Sequence, residues 1–214
     1  MQWEKYQESE FVNRHEGTVL AGSAKGRYFL SLLPKGKVLD LGCNDGGFTF
    51  FLNNNGFSAT GFDLPGVVMK AKRNFPKVRF VGGSAEKKLP FRNNSFDAII
   101  ASEIIEHVRK DYMFVSECHR LLKDNGILIL STPNRNYLVH RILRFFGYKW
   151  NEGCSWHCRE YSSSELKQLL WQKFTYVRIS GIPFSYIDEN SKVSLIERFL
   201  PKTLRHTLVA IAKK

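Results

Sequence analysis

Two short segments concentrate side chains that can move a proton or hold a cation. One is Glu103-Ile104-Ile105-Glu106-His107, and the other is Cys154-Ser155-Trp156-His157-Cys158. Residues three apart share a face of a helical turn, so Glu103 and Glu106 are expected side by side, with His107 next to them. Two carboxylates and two imidazoles, from Glu103, Glu106, His107 and His157, form a donor set for one hard or borderline divalent ion. The same histidines suit proton transfer, because an imidazole titrates near neutrality and can take a proton from an alcohol or phenol. Proton transfer by His107 or His157 is the preferred use, since short ligand-like motifs recur without metal. Cys154 and Cys158 alone are too few for a zinc site.

These segments need a scaffold and a co-reactant, and Val38-Leu39-Asp40-Leu41-Gly42-Cys43-Asn44-Asp45-Gly46-Gly47-Phe48 points to both. A short apolar run breaks into a glycine-rich turn, after which Phe48, Phe51 and Leu52 fall on one helical face. Gly42 and Gly46 permit backbone angles that a side chain forbids, and Asn44 tolerates the left-handed region. A second strand ends in Asp63, about 20 residues past the loop, where a nucleoside-binding βαβ unit places the acid that accepts from ribose hydroxyls. The loop lacks the lysine of a phosphate-binding loop and is flanked by Asp40 and Asp45. That composition suits a ligand with a cationic part.

With VLDLGCNDGGF at 38–48, GFDL at 61–64, GSAEKKLPFRNNSFDAIIASEIIEHV at 83–108 and LLKDNGILILSTPN at 121–134, the chain resembles the class I S-adenosylmethionine-dependent methyltransferases. Asn44 replaces the glycine usual there. The resemblance implies S-adenosylmethionine as cofactor, S-adenosylhomocysteine as product, and a cofactor site built from Asp40, Gly42, Cys43, Asn44, Gly46, Phe48, Asp63, Leu64, Ser84, Ala85, Glu86 and Ser102. Asp40 and Gly42 would frame the methionine part, Asp40 by ordering the loop rather than by touching the sulfonium, and 84–86 the adenine side. The E-x-x-E-H pattern is similar to that of ubiquinone-pathway O-methyltransferases and small-RNA 2′-O-methyltransferases, some of which use a metal. A divalent ion on Glu103, Glu106, His107 and His157 is therefore a secondary expectation. Ser102-Glu103-Ile104-Ile105 is not the Pro-Pro-aromatic run of exocyclic-amine methylation, and no Pro-Cys pair serves cytosine C5.

The positioning elements alternate. Strands are expected near 38–42, 58–63, 78–82, 96–101 and 127–130, with helices near 46–55, 66–75 and 111–123. Such alternation predicts a doubly wound, Rossmann-like parallel sheet with ligands at the carboxyl ends of its strands. A helix over 162–173 and strands at 176–179 and 208–212 follow; by the resemblance, those two strands close a seven-stranded sheet as an antiparallel pair. The whole chain reads as one domain, with a helical segment in 1–33 and an acceptor-side insert at 133–161. Within the insert, 136–146 predicts an amphipathic helix, apolar at Leu138, Val139, Ile142, Leu143, Phe145 and Phe146 and basic at His140, Arg141 and Arg144. It is expected to lie as a lid over the acceptor; contact with a membrane or lipid acceptor is the alternative.

The net charge is +12, and residues 133–214 carry 14 Lys+Arg against 6 Asp+Glu. That balance favours an anionic partner such as nucleic acid, acidic lipid or a phosphorylated compound, or serves solubility alone. No run of 18 apolar residues predicts a spanning helix. The four cysteines form no framework, which fits reduced thiols and a cytoplasmic location, with peripheral membrane contact through 136–146 as a variant. The expected activity is O-methylation of a small-molecule or lipid acceptor. RNA 2′-O-methylation and a non-catalytic binding module rank behind it.

Overall fold

The computed structural model describes residues 16–145, 157–183 and 200–214, the side chains at 139, 143 and 144 excepted. Two short helices, α1 (Glu16–Gly22) and α2 (Ala24–Leu32), precede the sheet. They are the described part of the helical segment expected in 1–33, of which 1–15 lies outside the described residues. The break has a local cause: the Ser23 side chain accepts the Gly26 N–H and restarts the helix after Gly22.

The alternation then runs as expected. β1 (Lys37–Leu41), α3 (Gly47–Asn54), β2 (Ser58–Asp63), α4 (Pro65–Asn74), β3 (Arg79–Gly82) and β4 (Phe96–Ser102) lead to α5 (Asp111–Leu121) and β5 (Leu122–Pro133). After α6 (Leu138–Phe145) come α7 (Ser163–Trp171), β6 (Tyr176–Ile182) and β7 (Thr207–Lys213). Helix α5 stops two residues earlier than expected because Leu122 turns extended and pairs with Phe96 of β4. Ser162 caps α7, accepting the Glu165 N–H while the Glu165 carboxylate accepts from the Ser162 backbone, a reciprocal capping box.

The seven strands order as β3-β2-β1-β4-β5-β7-β6. β1 to β5 pair in parallel; β7 runs antiparallel between β5 and β6. Successive residues of the central strands feed opposite cores. Leu39, Leu41, Ile99, Ala101, Leu128 and Leu130 pack beneath α5 and α7. Val38, Ala98, Ile100 and Ile129 pack with Phe29 and Phe48. Burial on both faces explains why β4 and β5 read as continuous apolar runs rather than alternating ones. Each buried Val, Leu, Ile or Phe among them contributes about 1.5–3 kcal/mol.

Reversal of strand order at β1 and β4 opens a crevice at their carboxyl ends, where α/β sheets bind ligands. Among the described residues no helix is long and apolar enough to cross a membrane.

Candidate active site

The glycine loop enters the crevice with the angles its composition requires. Gly42, Asn44 and Gly46 all take positive φ, at 87°, 46° and 84°. A Cβ at Gly42 would press on the Ile104 side chain, and one at Gly46 would strike the Phe80 ring at 2.6 Å. The loop backbone can therefore approach a ligand closely at 42, while 46 is held by packing.

Asp63, at the end of β2, accepts the Asn44 N–H (2.8 Å) on one carboxylate oxygen and the Leu64 N–H (2.7 Å) on the other. Those bonds tie the strand end to the loop and aim the carboxyl along the wall of an open cleft. The space of the cleft, open solvent at its mouth included, is about 640 Å³. Of the sequence-predicted cofactor residues, Gly42, Asn44, Asp63, Leu64, Ser84, Ala85, Glu86 and Ser102 line it. Ser84 Oγ accepts the Glu86 N–H, and Glu86 accepts the Arg109 N–H, so the 84–86 turn has a fixed shape.

Four other predicted residues stand behind the wall. Asp40 is buried and accepts from the Thr49 hydroxyl (2.6 Å) on α3. Burial pushes its pKa up to about 7, the Thr49 bond opposing the rise and the Asp63 and Asp45 charges adding to it. Cys43 is buried with Val68, Ala71 and Phe80. Phe48 belongs to the core beside Phe29 and Leu52, and Gly46 caps α3. Asp45, read in the sequence as flanking the ligand, instead accepts from the Thr18 N–H and hydroxyl and the Gly47 N–H, strapping α1 to the loop. Sequence reasoning missed Glu16, Phe62, Gly83, Ile104 and Val108 in the cleft wall. Glu16 had no signal at all, because its place depends on how α1 docks.

The E-x-x-E-H segment departs from the expected shared face. Glu103 takes φ 52°, and only Ile105–His107 forms a 3-10 turn, so the two residues do not share one helical face. Glu103 accepts from the Lys25 ammonium on α2 and from Ser131 Oγ (2.8 Å). Burial works to raise its pKa, but the Lys25 charge and hydrogen bond and the Ser131 hydroxyl hold it below the usual value. Glu106 is buried and accepts from the Thr132 hydroxyl (3.0 Å). Burial, then the Glu103 charge, pushes its pKa well above the usual range.

His107 lines the cleft, and its ring centroid lies 5.0 Å from that of His157. Both are held near Glu106: its carboxylate lies 4.0 Å from His107 Nε2, and its backbone carbonyl accepts the Cys158 N–H (2.6 Å). Ligand atoms of Glu106, His107 and His157 lie within 4.8 Å of one another. The expected four-donor set is thus corrected to three, since Lys25 holds Glu103 elsewhere. One buried carboxylate and two imidazoles suit a borderline divalent cation.

The insert is only partly in view. His140 packs edge-on against Tyr137 (4.6 Å) and, at 5.9 Å, His206. Burial pushes His206 down to about 4. The apolar residues of α6 do not all face inward: Ile142 is 47% exposed and Phe145 86%. Cys154, Phe146 and the side chains of Val139, Leu143 and Arg144 lie outside the described residues.

Fold and cleft together define a Rossmann-like domain with an open cleft at the switch between β1 and β4. A methyltransferase-domain family model matches residues 39–130. An uncharacterized methyltransferase of Synechocystis is 33% identical over 155 residues, covering 70% of this chain and 71% of the relative. The rat mitochondrial ubiquinone biosynthesis O-methyltransferase is 32% identical over 112 residues, 49% of this chain but 32% of that protein's length. Among solved structures, an S-adenosylmethionine-dependent methyltransferase of Mesorhizobium loti superposes with a TM-score of 0.66 at 19% identity, over 91% of this chain and 100% of the other. The chain belongs to the class I S-adenosylmethionine-dependent methyltransferases, whose cofactor is S-adenosylmethionine.

Proposed function

We propose that this chain transfers the methyl group of S-adenosylmethionine to an oxygen of a small-molecule or lipid acceptor. The observation that carries the reading is the cleft's charge and its neighbour. Glu16, Asp63, Glu86 and Glu103 line the cleft with no Lys or Arg among the described residues, and His107 stands in the same wall. Acids favour a ligand bearing a sulfonium. Asp63 is assigned the ribose hydroxyls and the 84–86 turn the adenine side.

The acceptor oxygen attacks the methyl carbon in line, and the carbon–sulfur bond breaks with its electron pair going to sulfur. The acceptor proton passes to an imidazole, assigned to His107 with His157 beside it. The sulfonium is already activated, so the protein's work is alignment and exclusion of water. Glu106, whose carboxylate lies 4.0 Å from His107 Nε2, would flank the His107 ring and limit its movement. Helix α6 is assigned to cover the acceptor at the carboxyl edge of the sheet, and its exposed Ile142 and Phe145 suit an acceptor carried in a lipid surface.

A second reading rests on the Glu106–His107–His157 cluster. A divalent cation there would polarise the acceptor oxygen and keep Glu106 ionised, with the histidines as ligands rather than bases.

Asp63→Ala and His107→Ala separate the two halves of the proposal. Asp63→Ala is expected to weaken S-adenosylmethionine binding by about 1–3 kcal/mol, from lost charged hydrogen bonds. His107→Ala is expected to leave that affinity intact while lowering methyl transfer about 10²–10⁴-fold. Activity lost to a chelator and restored by Mg²⁺ or Zn²⁺ selects the cation reading. Unchanged cofactor affinity in Asp63→Ala removes that residue from the site, and tight cofactor binding without transfer to any phenol, lipid or RNA acceptor makes the chain a binding module.

A further inference from the structure

At the opposite, amino-terminal end of the strands lies a second, broader groove. It runs from the start of β3 across β2 to β1 and is walled by the loop that enters β4. Its space, about 1120 Å³ with the mouth included, exceeds what a single small anion fills. Lys37, Lys77, Arg79 and Arg92 line it, all four exposed, and no Asp or Glu is among its described lining residues. The hydroxyl-bearing Ser58 and Thr60 lie between them.

The four cations differ from six others among the described residues. Lys25, Arg120, Lys123, Arg135, Arg159 and Lys214 each lie within 4.0 Å of a carboxylate. Among the described residues, no such pair involves the four of the groove. Asp97, which accepts the Lys37 backbone N–H, is itself paired with Lys123 (2.8 Å). A six-residue strand separates Ser58 at the groove from Asp63 at the cleft, about 17 Å of extended chain. The groove is therefore not the acceptor pocket.

We infer that this groove binds the phosphate backbone of single-stranded nucleic acid, at a site distinct from the cofactor cleft. Concentrated positive charge without carboxylates neutralises several phosphates at once and releases their counterions, which is the main source of sequence-independent affinity. A groove spanning three strands holds an extended chain better than a lone phosphate. The phenyl groups at its wall, Phe91 and Phe96, are packed edge-to-face on each other (5.2 Å), so contact is to the backbone and not by base stacking. Binding is accordingly expected to be insensitive to sequence and steep in salt.

The test uses the full chain and a fluorescein-labelled oligouridylate of about 12 nucleotides, a length within the span of known single-strand sites. Four phosphate contacts predict a slope of log affinity against log salt near −3, hence about 50-fold weaker binding at 200 than at 50 mM salt. Replacing Lys37, Lys77, Arg79 and Arg92 together by Gln is expected to weaken binding at least ten-fold at 50 mM salt and flatten the slope. The same change at Lys72, Arg178, Lys202 and Lys213, exposed cations outside the groove, is expected to do neither. S-adenosylhomocysteine affinity and melting temperature, measured on each variant, show that the fold and the cofactor cleft are intact; they bear on the proposed methyl transfer separately. Equal losses in the two quadruple variants overturn the inference, as does absence of binding by the unaltered chain. Tripolyphosphate bound as tightly as the oligonucleotide, or phosphatidylglycerol vesicles bound through the groove in its place, would overturn the nucleic-acid assignment too.

Discussion

The two ends of this sheet are built from the same strands and carry opposite charge. At the carboxyl end, Glu16, Asp63, Glu86 and Glu103 face a cleft with no Lys or Arg in its described wall. At the amino end, Lys37, Lys77, Arg79 and Arg92 face a groove with no carboxylate in its own. The net charge of +12 predicts neither, because it averages over both. The ends also differ in how charge is held. The acidic end is wired: Asp63 is bonded to the loop backbone, and Glu103 to Lys25 and Ser131. The cations of the basic end project from strand starts and turns. A wired site has a fixed shape for one ligand, whereas loose cations suit a flexible polyanion whose binding depends on count rather than geometry.

The comparison breaks first at Lys25, the cation that offsets the acidic end from outside its wall. It is 4% exposed and held by Glu103. Lys25→Met is expected to cost about 3 kcal/mol in denaturant unfolding, at the low end for removing one partner of a buried pair because Glu103 stays partly solvated. The double change Lys25→Met with Glu103→Gln should recover most of it. A loss under 1 kcal/mol in the single variant would mean that the acidic end needs no internal counter-charge.

A smaller effect sharpens the acid–cation pairing. Burial raises Asp40 to a pKa of about 7, so it is mostly protonated at pH 6 and mostly ionised at pH 8. A negative charge gained over that window favours the sulfonium of S-adenosylmethionine and has no such cation to favour in S-adenosylhomocysteine. The affinity ratio of the two is expected to rise about three- to ten-fold from pH 6 to 8 by calorimetry, an energy of order 1 kcal/mol consistent with a partly screened charge. Asp40→Asn should make the ratio independent of pH. Stability moves the opposite way: the contribution from the raised carboxyl pKa is full below the ordinary carboxyl value and is lost as pH climbs to about 7.

The smallest effect is at the rim of the acidic end. Phe145 is 86% exposed, so Phe145→Ser should change unfolding free energy by less than about 0.5 kcal/mol. A loss of several kcal/mol would return α6 to the core and remove it as a cover for the acceptor. Reduced turnover with a lipid acceptor at unchanged stability would support that role.

The local parts of this protein were legible from its residues. Alternating apolar runs and glycine turns locate the strands and helices because period and turn chemistry are local properties. The positive φ of Gly42 and Asn44 and the place of Asp63 follow for the same reason. Tertiary structure decided the rest. It sent Asp45 to α1 and Asp40 to Thr49, so acids adjacent in sequence to the ligand loop became struts behind it. It gave Glu103 and Glu106 different partners, because Lys25, distant in sequence, arrives on α2 and takes one of them. It brought His107 and His157 together across an insert. It gathered Lys37, Lys77, Arg79 and Arg92 from separate strands and loops into one groove. Neighbourhoods of this kind depend on strand order and helix docking, which long-range burial selects; a window of sequence does not show which residues will meet.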